Sequence, residues 1–339
     1  MQTNNFHDIL RALEQVRSNE KEILVITHER PDGDAVGSFT AMVELLNTNG
    51  YRAVWYLQDP VPDCYESFLS GECEKILNAS EVNSRYSLIF NVDASTVKRL
   101  GIAPVSFEEI TIPVVTLDHH PDNEHFGTLS YVDHNASSAC EVAYQFARAA
   151  QWNITEQAAT SLLLGLTTDT GCFRFSNTKP AALRAAADLI EMGADHARII
   201  DRAYLSKPFP MAMFEAELFR SGLRTALDGR VAWFTITQEL LKKYSIDIRN
   251  TEQLIENLRG IDGLVVAALI KRTNSPGIFK ISLRSKDPQI SVGRVARRLN
   301  GGGHEMAAGG TIFAKSVEDA EEILLKHIEQ EFNHETQPQ

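Results

Sequence analysis

Four short runs dense in strand-forming apolar residues, at 23–27, 52–57, 86–92 and 112–117, alternate with helical patterns and limit the first half of the chain to one architecture. Phe6, Ile9, Leu10, Leu13 and Val16 recur at helical spacing, and Phe39, Met42, Leu45 and Leu46 form a second stripe closed by Gly50. Several of the runs are apolar on both faces, which requires a parallel sheet covered by helices on both sides. Ligands of such sheets gather beyond the carboxyl ends of the strands. After residue 138 helical patterns dominate, near 138–151, 155–165 and 180–192, the last opened by Pro180 and closed by Gly193. Strand-like runs return at 231–237, 264–271 and 278–284, followed by helices near 291–299 and 317–331. They describe a second, smaller α/β domain, for which 339 residues leave room.

The longest apolar stretch, Gly263 to Ile270, is far short of the roughly 18 residues of a membrane span. The start, Met1-Gln-Thr-Asn-Asn, has neither the basic nor the apolar part of a signal peptide, so a cytoplasmic protein without membrane partners is expected. Cys64, Cys73, Cys140 and Cys172 lack zinc-site spacing and are too few for a disulfide framework, which predicts reduced thiols. The net charge of −12 is uneven: residues 1–221 carry −13, residues 222–310 carry +6 and residues 311–339 carry −5. A basic module thus follows an acidic one, a division that suits an anionic ligand only if the motifs agree.

The segment Thr27-His28-Glu29-Arg30-Pro31-Asp32-Gly33-Asp34-Ala35 follows a buried strand and precedes an amphipathic helix. Pro31 and Gly33 aim His28, Asp32 and Asp34 into one small volume, although a turn with a helix cap would use the same residues. The next strand ends in Asn91-Val92-Asp93 and the one after in Leu117-Asp118-His119-His120, and Asp169 lies in a turn of small residues after the apolar run 162–166. Burying several carboxylates together costs several kcal/mol unless cations neutralise them. Two divalent ions balance Asp32, Asp34, Asp93 and Asp169. A donor set of imidazole and carboxylate without thiolate favours Mn²⁺, with Mg²⁺, Co²⁺ and Fe²⁺ as alternatives and zinc still open.

The set His28-x-x-x-Asp32-x-Asp34, Asp93, Asp118-His119-His120 and Asp169 resembles the four motifs of the DHH phosphoesterase superfamily. Gly301-Gly302-Gly303-His304 followed by Ala307-Ala308-Gly309, with Ile281-Ser282-Leu283-Arg284-Ser285 upstream, resembles the DHHA1 domain that follows the catalytic domain in one branch. The length without large insertions is most similar to the stand-alone oligoribonuclease and 3′-phosphoadenosine-5′-phosphate phosphatase group, often called nanoRNases. In one departure, the family's run of glycines often starts one residue earlier, where this chain has Asn300.

The resemblance implies an α/β fold: a parallel-sheet DHH catalytic domain with helices on both faces over 1–205, a linker helix over 206–226, and a smaller α/β DHHA1 domain over 227–332. Residues 333–339 are expected to form a disordered tail, on polarity and position. By the same resemblance His28, Asp32 and Asp93 hold one metal and Asp34, Asp93, His119 and Asp169 the other, with Asp93 bridging. A hydroxide shared by the metals then attacks phosphorus in line. Asp118 is expected to orient His119, and His120 to contact phosphate or donate a proton. Arg284, Ser285, Gly301, Gly302, Gly303 and His304 are the expected substrate contacts, three successive glycines letting backbone N–H groups approach an anion. Arg294, Arg297 and Arg298 read as a solvated helix face.

The implied activity is release of mononucleotides from very short single-stranded oligonucleotides held in a cleft between the domains, with dephosphorylation of 3′-phosphoadenosine 5′-phosphate beside it. The rival from the same motifs is a phosphodiesterase of cyclic or linear dinucleotides such as c-di-AMP or pApA. A catalytically silent nucleotide-binding module is the alternative of another class. A homodimer is compatible with this architecture, although no residue demands one.

Overall fold

Helix α1 (Phe6–Arg17) leads into β1 (Glu22–Ile26), α2 (Gly33–Thr48) and β2 (Ala53–Trp55). The short helices α3 (Asp63–Glu66) and α4 (Ala79–Arg85) precede β3 (Tyr86–Val92), β4 (Val114–Asp118) and β5 (Leu129–Val132). Helices α5 (Ala139–Ala149), α6 (Glu156–Asp169), α7 (Pro180–Glu191) and α8 (His196–Ile200) follow. This computed structural model describes residues 2–3, 5–17, 21–71, 73–76, 78–251 and 253–335, in two units, Met1–Ser206 and Lys207–Gln339.

The sheet of the first unit has the order β2-β1-β3-β4-β5 with every pair parallel. Strand alternation divides its side chains between two cores: Ile23, Val25, Leu88, Phe90, Val115 and Leu117 enter the core with α2, α5, α6 and α7, whereas Leu24, Ile26, Ile89 and Val114 enter the opposite one. Burial on both faces is why these strands read as continuous apolar runs. The edge strand β5 was not expected from the sequence, because its Leu-Ser-Tyr-Val is mostly half-exposed and carries no such run. From β1 the chain winds outward to β2, and from β3 it winds the other way to β4 and β5. The strand order therefore reverses between β1 and β3, and a crevice opens beyond their carboxyl ends.

The second unit contains α9 (Phe209–Glu217), β6 (Arg224–Ala226), β7 (Val231–Ile236), α10 (Gln238–Tyr244), α11 (Leu254–Arg259), β8 (Val266–Arg272) and β9 (Ile278–Ser285). Then come α12 (Val292–Arg298), β10 (Gly302–His304), β11 (Ala307–Phe313) and α13 (Val317–Glu335). Its sheet runs β10-β11-β9-β8-β7-β6, with only the β7–β8 pair parallel. Helices α12 and α13 cover one face, and α9, α10 and α11 the other.

Two expected boundaries change. The segment 206–226 is not one linker helix: α9 ends in a π-helical turn at Leu218–Gly222, and Arg224–Ala226 pairs with β7 as a hairpin strand. Asp228-Gly229 makes the connecting turn, with positive φ at Leu227, Asp228 and Gly229. Helix α13 carries on to Glu335, through residues expected in the tail, and 336–339 lie outside the described residues. No helix among the described residues is long and apolar enough to cross a membrane. The four cysteines are free thiols.

Candidate metal centre and substrate residues

The crevice between β1 and β3 is where the expected metal ligands meet. His28 follows β1, Asp93 follows β3, and His119 and His120 follow β4, while α2 begins at Gly33 just behind Asp32. Asp32 is the N-cap of α2: its Oδ1 accepts from the Asp34 and Ala35 N–H groups, each at 3.1 Å. The same oxygen lies 3.9 Å from His28 Nε2, so cap and candidate ligand are one residue. His28 Nδ1 is 2.7 Å from the Glu29 carbonyl, which can only accept; Nδ1 therefore carries the proton and Nε2 faces Asp93 Oδ2 at 3.6 Å.

Asp34, in the first turn of α2, points toward α5. Its Oδ2 accepts from the Ala139 N–H at 2.6 Å and its Oδ1 from the Cys140 N–H at 3.0 Å. His119 Nε2 then lies 3.7 Å from each of three carboxylates, Asp34 Oδ2, Asp93 Oδ1 and Asp169 Oδ2. These N···O separations are too long for hydrogen bonds. They approach the span of two donors that each sit about 2.1 Å from a common cation.

Asp93 is the residue common to both sides. It takes the left-handed φ of +59°, uncommon outside glycine, and its N–H is fixed to the Leu117 carbonyl at 3.1 Å. The side chain is 2% exposed, and Oδ1 has no hydrogen-bond partner among the described residues. A buried carboxylate oxygen without a donor is costly, and a cation is the partner its surroundings suit. Asp169 adds to the case, because it ends α6, where the helix dipole disfavours a carboxylate. Three groups, His28–Asp32–Asp93, Asp34–His119–Asp169 and Asp93–Asp118–His119–His120, could each hold a metal ion.

The electrostatics agree with that chemistry. Burial lowers the His28 pKa to about 4, which keeps its imidazole neutral as a ligand must be. Burial, then the charge of Asp32, raises Asp34 to about 7. Burial followed by the charges of Asp34, Asp32, Asp118 and Asp169 pushes Asp93 well above the carboxylate range. Dications would reverse these penalties.

Asp118 contacts both histidines that follow it. Its Oδ1 accepts from the His119 backbone N–H at 2.8 Å and lies 2.8 Å from His120 Nδ1, so its ring contact here is with His120. Asn123 Nδ2 donates to the other oxygen at 2.6 Å. Burial alone would raise Asp118, but the charge and hydrogen bond of His120 outweigh it and hold the carboxyl well below the usual range. Burial likewise pulls His120 down, and Asp118 more than offsets it, raising the imidazole to about 9.

The second unit divides the expected substrate residues. The ladder sets Arg284 opposite Ala307 and Ala307 opposite His304, so Arg284 and His304 flank one small side chain on the same sheet face. On that face Ser282, Gly309 and Gly302 form the adjoining row. Arg284 Nε donates to Glu256 Oε1 at 2.8 Å. Ser285 is a correction: alternation turns it to the opposite face, where it is buried and its Oγ donates to the Asp287 carbonyl at 2.9 Å. Gly301 and Gly303 are explained by packing, since a Cβ would sit 1.9 Å from the Gly309 carbonyl oxygen at the first and 2.8 Å from that of Ala307 at the second. The Gly301 N–H donates to the Ala296 carbonyl at 2.9 Å, so it is not directed at an anion. Asn300 takes φ of +52°, a conformation asparagine tolerates, in place of another glycine. Arg294 and Arg298 pair with the buried Glu331.

Sequence reasoning missed Asn123, the Ala139 and Cys140 amides, and Gly165 in α6, whose added Cβ would lie 2.4 Å from Asp34 Oδ1. Ser138 with Glu141 three residues on is a signature of a helix start and could have marked the amides.

Residues 22–166 match the DHH family, N-terminal domain, and residues 234–334 match the DHHA1 domain. A Streptococcus mutans protein named "probable bifunctional oligoribonuclease and PAP phosphatase NrnA" is 30% identical over 308 residues, 90% of this chain and 94% of that protein. The chain belongs to the DHH family. A bifunctional oligoribonuclease and PAP phosphatase NrnA of Thermus thermophilus is 27% identical over 318 residues, covering 94% of this DHH chain and 92% of its relative. The crystal structure of an exopolyphosphatase-related protein from Bacteroides fragilis superposes with a TM-score of 0.82 over 98% of both chains at 19% identity, a likeness of fold.

Proposed function

We propose that this chain is a metal-dependent phosphoesterase that hydrolyses very short oligoribonucleotides to mononucleotides and also removes the 3′-phosphate of 3′-phosphoadenosine 5′-phosphate. The observation that carries the reading is the buried Asp93 Oδ1, without a hydrogen bond among the described residues and ringed by imidazoles and carboxylates in the crevice between β1 and β3. Relatives named for these two activities align over most of the chain and support the choice of substrates.

In this reading His28, Asp32 and Asp93 hold one divalent cation and Asp34, Asp93, His119 and Asp169 a second, with manganese proposed first for a donor set without thiolate. The pair would supply Lewis acidity toward a phosphoryl oxygen and an activated water. His28 contributes a neutral Nε2, because burial keeps its ring unprotonated. The α5 amides hold both oxygens of Asp34 and so fix its direction. His120, kept protonated by Asp118, supplies a proton donor beside the reacting phosphorus. Arg284 and His304, flanking Ala307 over a floor of small residues, are proposed to bind the substrate's terminal phosphate or base.

Turnover of pApA, a five-nucleotide RNA, c-di-AMP and 3′-phosphoadenosine 5′-phosphate by the full chain under one Mn²⁺ condition tests this function. AMP from pApA, mononucleotides from the RNA and phosphate from 3′-phosphoadenosine 5′-phosphate are expected. Hydrolysis of c-di-AMP alone, or of none of the four, would overturn it.

A further inference from the structure

Arg99 stands beside the metal centre without a role in the fold that its side chain explains. It ends a single 3-10 turn, Val97–Arg99, six residues past Asp93. The backbone of this segment is stapled to the loop after β1: the Glu29 N–H donates to the Arg99 carbonyl at 2.8 Å, the Gly101 N–H donates to the Thr27 carbonyl at 2.9 Å, and Leu100 forms an antiparallel bridge with His28. Gly101 makes the approach possible, since a Cβ there would lie 2.9 Å from the Thr27 oxygen and 3.1 Å from the His28 carbonyl carbon. Leu100 is buried in the core on that side of the sheet, whereas Arg99 is exposed. A backbone held this closely to a candidate ligand gives the next side chain a fixed origin at the rim of the site.

The guanidinium makes no hydrogen bond or ion pair with any described residue, in a unit where most site carboxylates are close to some donor. Its backbone is held against the residue that follows His28, and its charge acts on His28, Asp32 and His120 together. An arginine so situated, where two proposed cations would balance the four carboxylates, has an incoming phosphate oxygen as its natural partner, and its fork suits two such oxygens at once.

We propose that Arg99 binds the phosphoryl group undergoing attack, through non-bridging oxygens, from the His28–Asp32–His120 side of the centre. This rests on the phosphoesterase reading above. A contact to the reacting phosphoryl group is common to all substrates, so Arg99→Ala should raise KM or lower kcat/KM by about the same factor, tenfold or more, for pApA and for 3′-phosphoadenosine 5′-phosphate. A contact in the second unit would instead separate the substrates.

The test compares Arg99→Ala, Arg99→Lys and the neighbouring Lys98→Ala in the manganese-loaded full chain. Affinity for inorganic phosphate is measured by calorimetry, turnover of the two substrates by product release, and manganese content by elemental analysis. Arg99→Ala is expected to weaken phosphate binding at least about tenfold with manganese content unchanged, Arg99→Lys to restore part of it, and Lys98→Ala to change it less than twofold. Equal effects of Arg99→Ala and Lys98→Ala would reduce the role to diffuse charge and overturn the proposal, as would loss of manganese from Arg99→Ala. Phosphate affinity is read without turnover, so it decides on Arg99 even if none of the substrates is hydrolysed, an outcome that would count against the phosphoesterase reading alone.

Discussion

Asp34 lies so close to Gly165 that a Cβ on the glycine would sit 2.4 Å from Asp34 Oδ1 and 2.3 Å from Cys140 Sγ. One turn along α2, Gly37 meets the Ser161 carbonyl of α6 just as tightly, with its Cβ position 2.5 Å away. Helices α2 and α6 therefore pack closely because both positions are glycine, and each helix presents one member of the Asp34–His119–Asp169 group. Gly165→Ala must push Asp34 or the helix aside. Manganese titration should then show that one of two sites weakens by about ten- to a hundredfold while the other is retained, the range found when groups that orient ligands are altered. Circular dichroism distinguishes this from unfolding.

Asp93 faces both groups, Oδ2 toward His28 and Oδ1 toward His119. Asp93→Asn keeps the shape and removes the charge that both proposed cations share. We expect nucleotide and phosphate release to fall at least about a hundredfold and both manganese ions to bind more weakly. Near-normal activity of this variant would end the two-metal mechanism.

Much of this was legible in the chain because each motif combines a local signal with a chemical one. The runs at 23–27 and 86–92 are apolar on both faces because the strands are buried on both, and a polar residue after such a run falls at a carboxyl end by construction. What stayed hidden depends on contacts between distant segments. Nothing near Asp34 announces that the Ala139 and Cys140 amides hold it, and a glycine within a helix, such as Gly165, reads as a weakness until a second helix lies on it. The glycine run at 301–303 suggested an open anion loop, whereas the chain uses it to bring β10 against β11. Ser285 was misread for want of its strand register, which turns alternate residues to opposite faces.

Asp118 sets the protonation of His120. In the metal-free chain the imidazole is raised to about 9, so it carries a proton at neutral pH. It contributes stability that is fully present below pH 6.5, the ordinary histidine value, and is lost as pH rises through about 9. With Asp118→Asn the opposing burial dominates, and the His120 titration followed by NMR should move below 6.5, with kcat reduced more than KM if the ring donates a proton. An unmoved titration would remove Asp118 from this role.

Arg284 is paired with Glu256, so a phosphate bound there as proposed would share or displace that carboxylate. Arg284→Ala should raise KM by about tenfold with metal content unchanged, as expected for a contact made equally in ground and transition states. Glu256→Gln should lower KM by releasing the guanidinium. Loss of manganese from Arg284→Ala would assign the residue to the metal centre instead.

Removing metal should cost more stability at high pH than at low. In the metal-free chain Asp34 is raised to about 7 and Asp93 lies well above the carboxylate range, so both are protonated in the folded state near pH 5.5 and ionised in the unfolded one. A buried acid with a raised pKa loses folding free energy as pH climbs from its unfolded value of 3.8 toward its folded one, because the unfolded chain sheds the proton first. Divalent cations cancel this loss, since they bind the ionised carboxylates, and their affinity climbs over the same interval. His28 acts in the opposite sense: its folded pKa of about 4 lies below the ordinary 6.5, so its contribution is lost on acidification. The chelator-induced drop in Tm should therefore be larger at pH 8 than at pH 5.5. A drop of the same size at both, measured with the chelator in excess, would mean that the carboxylates around Asp93 do not bind the metal.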